Sequence, residues 1–136
     1  MTVVICGLAT VGASMTAWLL ERGHTVIGID TDARKRAAIA DGRAPVTEPG
    51  LAEAFTRGLA NGQLSVAADL AKAVLDPAVD TVAIAVGTPR SEEGSLSLAQ
   101  IHAATNAVID GIRRRPPGSA RVLICYRSTL PPGTCR

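Results

Sequence analysis

A chain of 136 residues has room for one domain with a real core, and not for two ordinary ones. At 47% hydrophobic and 19% charged it is not a disordered chain, and a net charge of +2 with acids and bases interspersed gives no broad electropositive face for nucleic acid. No apolar run is long enough to span a membrane, and with only Trp18, Phe55 and Tyr126 as aromatics the core must be Ala, Val, Leu and Ile, with no platform for stacking single strands.

The run Val3-Val4-Ile5-Cys6 predicts a first strand over 2–6, apolar on both faces as in a central parallel strand. Gly7-Leu8-Ala9-Thr10-Val11-Gly12 follows. The next helix, over 11–22, puts Val11, Met15, Trp18 and Leu19 on one face, makes Trp18 a packing residue and stops at Gly23. A second strand over 25–29 ends in Asp30. Asp32 caps a short helix through Ala40, closed by Gly42. A structured loop over 43–50 leads to a helix from Leu51 to Asn61-Gly62, then a short strand over 64–66 and a helix opened by Asp69. A strand over 81–86 ends in Gly87-Thr88-Pro89. A polar loop over 90–97 precedes a long helix over 98–114, and a last strand over 121–126 ends in Arg127-Ser128-Thr129. The cluster Arg113-Arg114-Arg115 falls at the end of the long helix, before Pro116-Pro117, where cations complement the helix dipole.

Strands alternating with helices predict an α/β fold, a Rossmann-type doubly wound parallel sheet with right-handed crossovers. A complete sheet of this type has six strands and the sequence predicts five, so a sheet truncated after the fifth is expected. An exposed apolar edge and self-association are expected. The three cysteines lack metal or disulfide spacing: Cys6 and Cys125 are expected to be small core residues in buried strands, and Cys135 a free thiol. With no signal peptide in the reading, a reducing cytoplasm is expected.

A strand, a glycine turn, a helix and a strand closing on an acid form the unit that grips a dinucleotide. Gly7 permits the tight turn, Gly12 lets helix and strand pack closely, and the helix-start amides can hold a pyrophosphate. Asp30 is placed to accept from the adenosine ribose hydroxyls and to repel a 2′-phosphate, favouring NAD over NADP, with Arg34 and Arg36 nearby as a counterweight. Ala9 occupies the position where the backbone should approach the phosphates most closely. If its methyl weakens one hydrogen bond, the cost is about 0.5–1.5 kcal/mol, roughly two- to tenfold in affinity. The clusters at Gly7 to Gly12, Asp30, Gly87-Thr88-Pro89 and Ser128-Thr129 all terminate predicted strands, which brings them to one rim.

In order along the chain, Glu21-Arg22-Gly23-His24, Glu48-Pro49-Gly50-Leu51, Val86-Gly87-Thr88-Pro89, Gly94-Ser95-Leu96 and Arg127-Ser128-Thr129-Leu130-Pro131-Pro132-Gly133-Thr134 join the first unit in a pattern that resembles the amino-terminal domain of the UDP-glucose/GDP-mannose dehydrogenase family. The resemblance implies an NAD-dependent oxidation of a nucleotide sugar's C6 alcohol to a carboxylate. It implies cofactor contacts at Gly7, Ala9, Thr10, Val11, Gly12, Asp30, Lys35, Thr88 and Thr129, with Thr129 toward the nicotinamide and the reaction centre as the catalytic candidate. No metal is implied. Ala9 and Thr10 depart from the family's usual glycine and tyrosine. The family's catalytic cysteine, its central helix and its nucleotide-sugar domain have no counterpart in 1–136, so the isolated chain is expected to be inactive. Arg127 leans the substrate toward GDP-mannose over UDP-glucose. The alternatives are a non-catalytic dinucleotide-binding or protein-interaction module, and a hydroxyacid-type dehydrogenase, which the closing Ser-Thr-Leu-Pro-Pro-Gly segment disfavours.

Overall fold

Alternation within the first strand decides the architecture. In β1 (Thr2–Cys6), Val3 and Ile5 join the core on one face of the sheet and Val4 and Cys6 the core on the other, all four buried. A strand apolar on both faces requires helices on both sides. The computed structural model, which describes residues 1–90 and 94–134, shows that arrangement. Cys135, expected as a free thiol, lies outside the described residues, as does 91–93 of the polar loop.

After β1 come α1 (Thr10–Glu21), β2 (Thr25–Ile29), α2 (Ala33–Ala40), α3 (Leu51–Ala60), β3 (Leu64–Ala67), α4 (Leu70–Val74), β4 (Val79–Ile84), α5 (Ala99–Arg113) and β5 (Leu123–Tyr126). The strands form one five-stranded sheet in the order β3-β2-β1-β4-β5, with every pairing parallel. This is the Rossmann-type doubly wound sheet: the order departs from β1 in both directions, opening a crevice beyond the carboxyl ends of β1 and β4. Residues of α1 and α3, with Ile39 of α2, cover one face, where Phe55 is wholly buried; Leu70, Val74, Ala104 and Val108 of α4 and α5 cover the other. No described helix is long and apolar enough to cross a membrane.

Several local expectations need correction. In α1 the buried arc is Gly12, Ala13, Thr16, Ala17, Leu19 and Leu20, while Val11 and Trp18 are exposed and Met15 is half-buried. Small residues let the helix lie close to the sheet, and the Thr16 hydroxyl is satisfied by donating to the Gly12 carbonyl at 2.8 Å. Trp18 is therefore not a core residue; the Arg22 guanidinium lies 3.8 Å from its ring centre. β4 runs Val79–Ile84 rather than 81–86, because its pairing with β1 spans Thr2↔Val79 to Cys6↔Ile84. β5 begins at Leu123 rather than at 121, and as an edge strand it leaves Leu123 64% exposed and Cys125 only half-buried, so Cys125 is not a core residue. Of the arginine cluster, Arg113 lies in the last turn of α5, whereas Arg115 is buried and donates to the carbonyls of Val79 at 3.1 Å and Pro77 at 2.9 Å. Arg115 latches the end of the helix to the entry of β4.

Candidate functional site

The chain leaves β1 through Gly7 at a φ of +95°, a left-handed conformation that favours glycine. A Cβ at this position would lie 2.6 Å from the Ala85 carbonyl oxygen, so the turn presses against the end of β4. The Gly7 amide donates to Ile29 O at 2.7 Å and ties the same turn to the end of β2. Gly12 is held closer still: a Cβ there would fall 1.8 Å from the Gly7 carbonyl oxygen. The start of α1 is thereby fixed against the turn. Ala9 is the N-cap of α1 at φ −78° and ψ −168°, ordinary extended backbone, so its methyl costs no backbone strain. It offers no capping side chain, and the first amides of the helix, at Thr10, Val11 and Gly12, have no acceptor within the helix.

Asp30 follows β2 directly and is 8% exposed. Its Oδ2 accepts from the Leu8 amide at 2.9 Å and from Lys35 Nζ at 2.7 Å, and its Oδ1 accepts from the Asp32 amide at 3.0 Å. Burial alone would push the carboxyl's pKa up. The Lys35 hydrogen bond, the amides of Asp32 and Leu8, and the Lys35 charge overcome it and hold the carboxyl below its ordinary value. Arg36 donates to the Asp30 carbonyl at 2.7 Å. Asp32 caps α2 as expected, accepting from the amides of Arg34 and Lys35, and this places Lys35 one turn from Asp30.

These groups border a cavity of about 750 Å³ beyond the carboxyl ends of β1, β2 and β4. Its walls include Gly7, Ala9, Asp30, Lys35, Ala85 and Gly87. That volume suits a cofactor-sized ligand, and Gly7, where a side chain cannot fit, leaves the turn's backbone bare toward it. The glycine turn and Asp30, remote in sequence, thus share one chamber. Thr10, Val11 and Gly12 lie beside it without lining it. Thr88, half-buried, and Thr129, exposed, lie beyond the ends of β4 and β5 on the same edge of the sheet, outside the cavity. Ser128 is committed to structure: its hydroxyl donates to Val86 O at 2.7 Å, closing the end of β5 on that of β4.

Sequence reasoning missed two contributors. Leu8, between the glycines, is wholly buried, and its side chain lies over Gly28 in β2, where a Cβ would be 2.9 Å from Leu8 Cδ1. A glycine in the middle of an apolar strand was the available signal. The opposite wall comes from α5, where Ala103, Ala104 and Ala107 face the cavity at helical spacing. Cys6 also lines the chamber, but burial, with the Asp30 charge second, pushes its thiol up to about 11, so it is not a nucleophile at neutral pH.

Comparisons with known proteins agree with this geometry. The model of the UDP-glucose/GDP-mannose dehydrogenase family, NAD binding domain, matches residues 1–136. The GDP-mannose 6-dehydrogenase of Pseudomonas aeruginosa is 40% identical over 134 residues, covering 98% of this chain and 30% of the relative. The crystal structure of a ternary complex of GDP-mannose dehydrogenase from Pseudomonas aeruginosa superposes with a TM-score of 0.91 at 39% identity, over 99% of this chain and 30% of that one. A UDP-glucose dehydrogenase from the archaeon Pyrobaculum islandicum gives 0.85 at 38% identity, over 98% and 30%. The chain thus spans about 30% of the length of the relatives it matches.

Proposed function

The chain belongs to the UDP-glucose/GDP-mannose dehydrogenase family as its NAD-binding domain, and from that premise we propose that it seats NAD for the oxidation of a nucleotide sugar's C6 alcohol to a carboxylate. The observation that carries this reading is the single cavity shared by the Gly7 turn, Ala9 and Asp30. The backbone of Gly7 and Ala9 on its wall faces the pyrophosphate, with the α1 amides of Thr10 and Val11, beside the cavity, supplying donors. Asp30 accepts from the adenosine ribose, and Lys35 stands beside it. Thr88 and Thr129 border the nicotinamide end, Thr129 toward the reacting carbon. When bound, NAD supplies the hydride acceptor. The nucleotide-sugar pocket and the catalytic cysteine belong to the part of the family's length that residues 1–136 do not cover. GDP-mannose or UDP-glucose is the substrate class, and the 136-residue chain alone gives no turnover. A second copy of the chain is the expected partner at the β5 edge, where Leu123 is exposed.

The test is a thermal-shift titration with NAD. At tenfold excess over Kd, binding adds about 1.4 kcal/mol and should raise Tm by roughly 3–5 °C. No shift at millimolar NAD overturns the reading.

A further inference from the structure

Asp30 is already loaded for a residue that must offer its carboxylate to a ribose. Both oxygens accept from the protein, and the Lys35 ammonium is 2.7 Å from Oδ2 at 26% exposure, on the wall of the same cavity. The negative charge that would turn away a 2′-phosphate is therefore met by a positive charge at contact distance. Arg36 adds a second cation, its guanidinium held on the Asp30 carbonyl at 2.7 Å. Resting on the NAD reading above, we propose that Lys35 sets the 2′ selectivity of the adenosine-ribose pocket, softening the rejection of a 2′-phosphate by Asp30 so that NADP binds more weakly than NAD without being excluded.

The amides of Leu8 and Asp32 hold the carboxylate in place independently of Lys35. The lysine is therefore free to exchange partners without the anchor moving. With a free ribose, the 2′ and 3′ hydroxyls donate to Asp30 and Lys35 remains its counter-ion. With a 2′-phosphate, the flexible stem carries Nζ from Oδ2 to the phosphate oxygens, where a compact ammonium is a good partner. Selectivity is then a property of the pair rather than of the acid alone.

The test measures Kd for NAD and for NADP by calorimetry on the full chain: wild type, Lys35→Ala, Lys35→Gln (a neutral residue of similar reach) and Lys35→Arg. The NADP/NAD ratio of Kd values should rise about tenfold in Lys35→Ala and Lys35→Gln. It should stay within about twofold of wild type in Lys35→Arg, which keeps the charge. The wild-type ratio should fall toward unity less steeply with added salt than that of the neutral variants, since their Asp30 is unshielded. A purely structural lysine would weaken both dinucleotides together and leave the ratio alone. An unchanged ratio in both neutral variants, with NAD still bound by the wild type, overturns this proposal and spares the NAD reading. A wild type that binds neither dinucleotide overturns both.

Discussion

The two ends of the cavity are built to different tolerances. At the β1–α1 turn nothing can be added: a methyl on Gly7 would meet Ala85 O at 2.6 Å, and one on Gly12 would meet Gly7 O at 1.8 Å. At the far end Gly87 is open, and an added Cβ there meets nothing closer than Gln100 Oε1 at 3.8 Å. Asp30 at the tight end is buried and held by three donors, whereas Thr129, outside the cavity past its loose end, stands exposed beyond a half-buried edge strand. The contrast teaches that the end of the cavity formed by the Gly7 turn and Asp30 is preorganised by packing. The other end is carried by strand-terminal loops beyond β4 and β5.

The sharpest way to break this comparison is a pair of alanines. Gly12→Ala should cost about 3 kcal/mol or more and lower Tm by roughly 10 °C or more, while Gly87→Ala should stay within about 0.5 kcal/mol of wild type. Equal effects in thermal melts would show that the two ends do not differ. Next in size, Asp30→Ala should remove about 2 kcal/mol of stability and at least about tenfold in NAD affinity, measured by urea unfolding and calorimetry. Retained affinity would move the ribose anchor elsewhere.

A pH series refines the same point. The folded Asp30 carboxyl lies below its ordinary value, so its contribution is complete above the normal carboxylate range and is lost as pH falls through the folded value. The stability gap between wild type and Asp30→Asn should therefore be constant near neutrality and close on acidification. A gap that widens in acid would give the shift the opposite sign. The smallest effect belongs to the edge. If the β5 edge pairs with a second copy as proposed, Leu123→Lys should weaken that association in sedimentation runs while changing stability by less than about 0.5 kcal/mol, because the side chain is already in solvent.

The order of elements and the tight end of the cavity were legible in the sequence because they depend on residues with few alternatives. A glycine forced to positive φ, a glycine where no Cβ fits and an acid ending a strand each leave a mark. The helix faces were less legible. Reading α1 by its largest apolar side chains chose Val11, Met15, Trp18 and Leu19, of which Leu19 alone is buried, whereas close approach to the sheet selected Gly12, Ala13 and Ala17 and accepted a self-satisfied Thr16. The α5 wall escaped for the same reason, since Ala103, Ala104 and Ala107 make room and alanine's shortness leaves no hydrophobic signal. Lys35, one of three consecutive basic residues on a short helix, is marked as a cofactor contact by the resemblance alone. Its contact with Asp30 depends on the Asp32 cap, which sets the phase of α2. The expectation for Cys125 fails because β5, paired with β4 alone, leaves its side chain half-buried.

Leu8 does two things at once: its amide holds Asp30, and its side chain rests where Gly28 has none. The bend and the acid are therefore not modular. Grafting this loop onto another scaffold requires carrying a bare position in the adjacent strand along with it; otherwise the leucine is lifted, the amide swings off the carboxylate, and the transplanted glycines have nothing to aim at. A designer who changes Gly28 alone should find the Asp30 carboxylate displaced all the same.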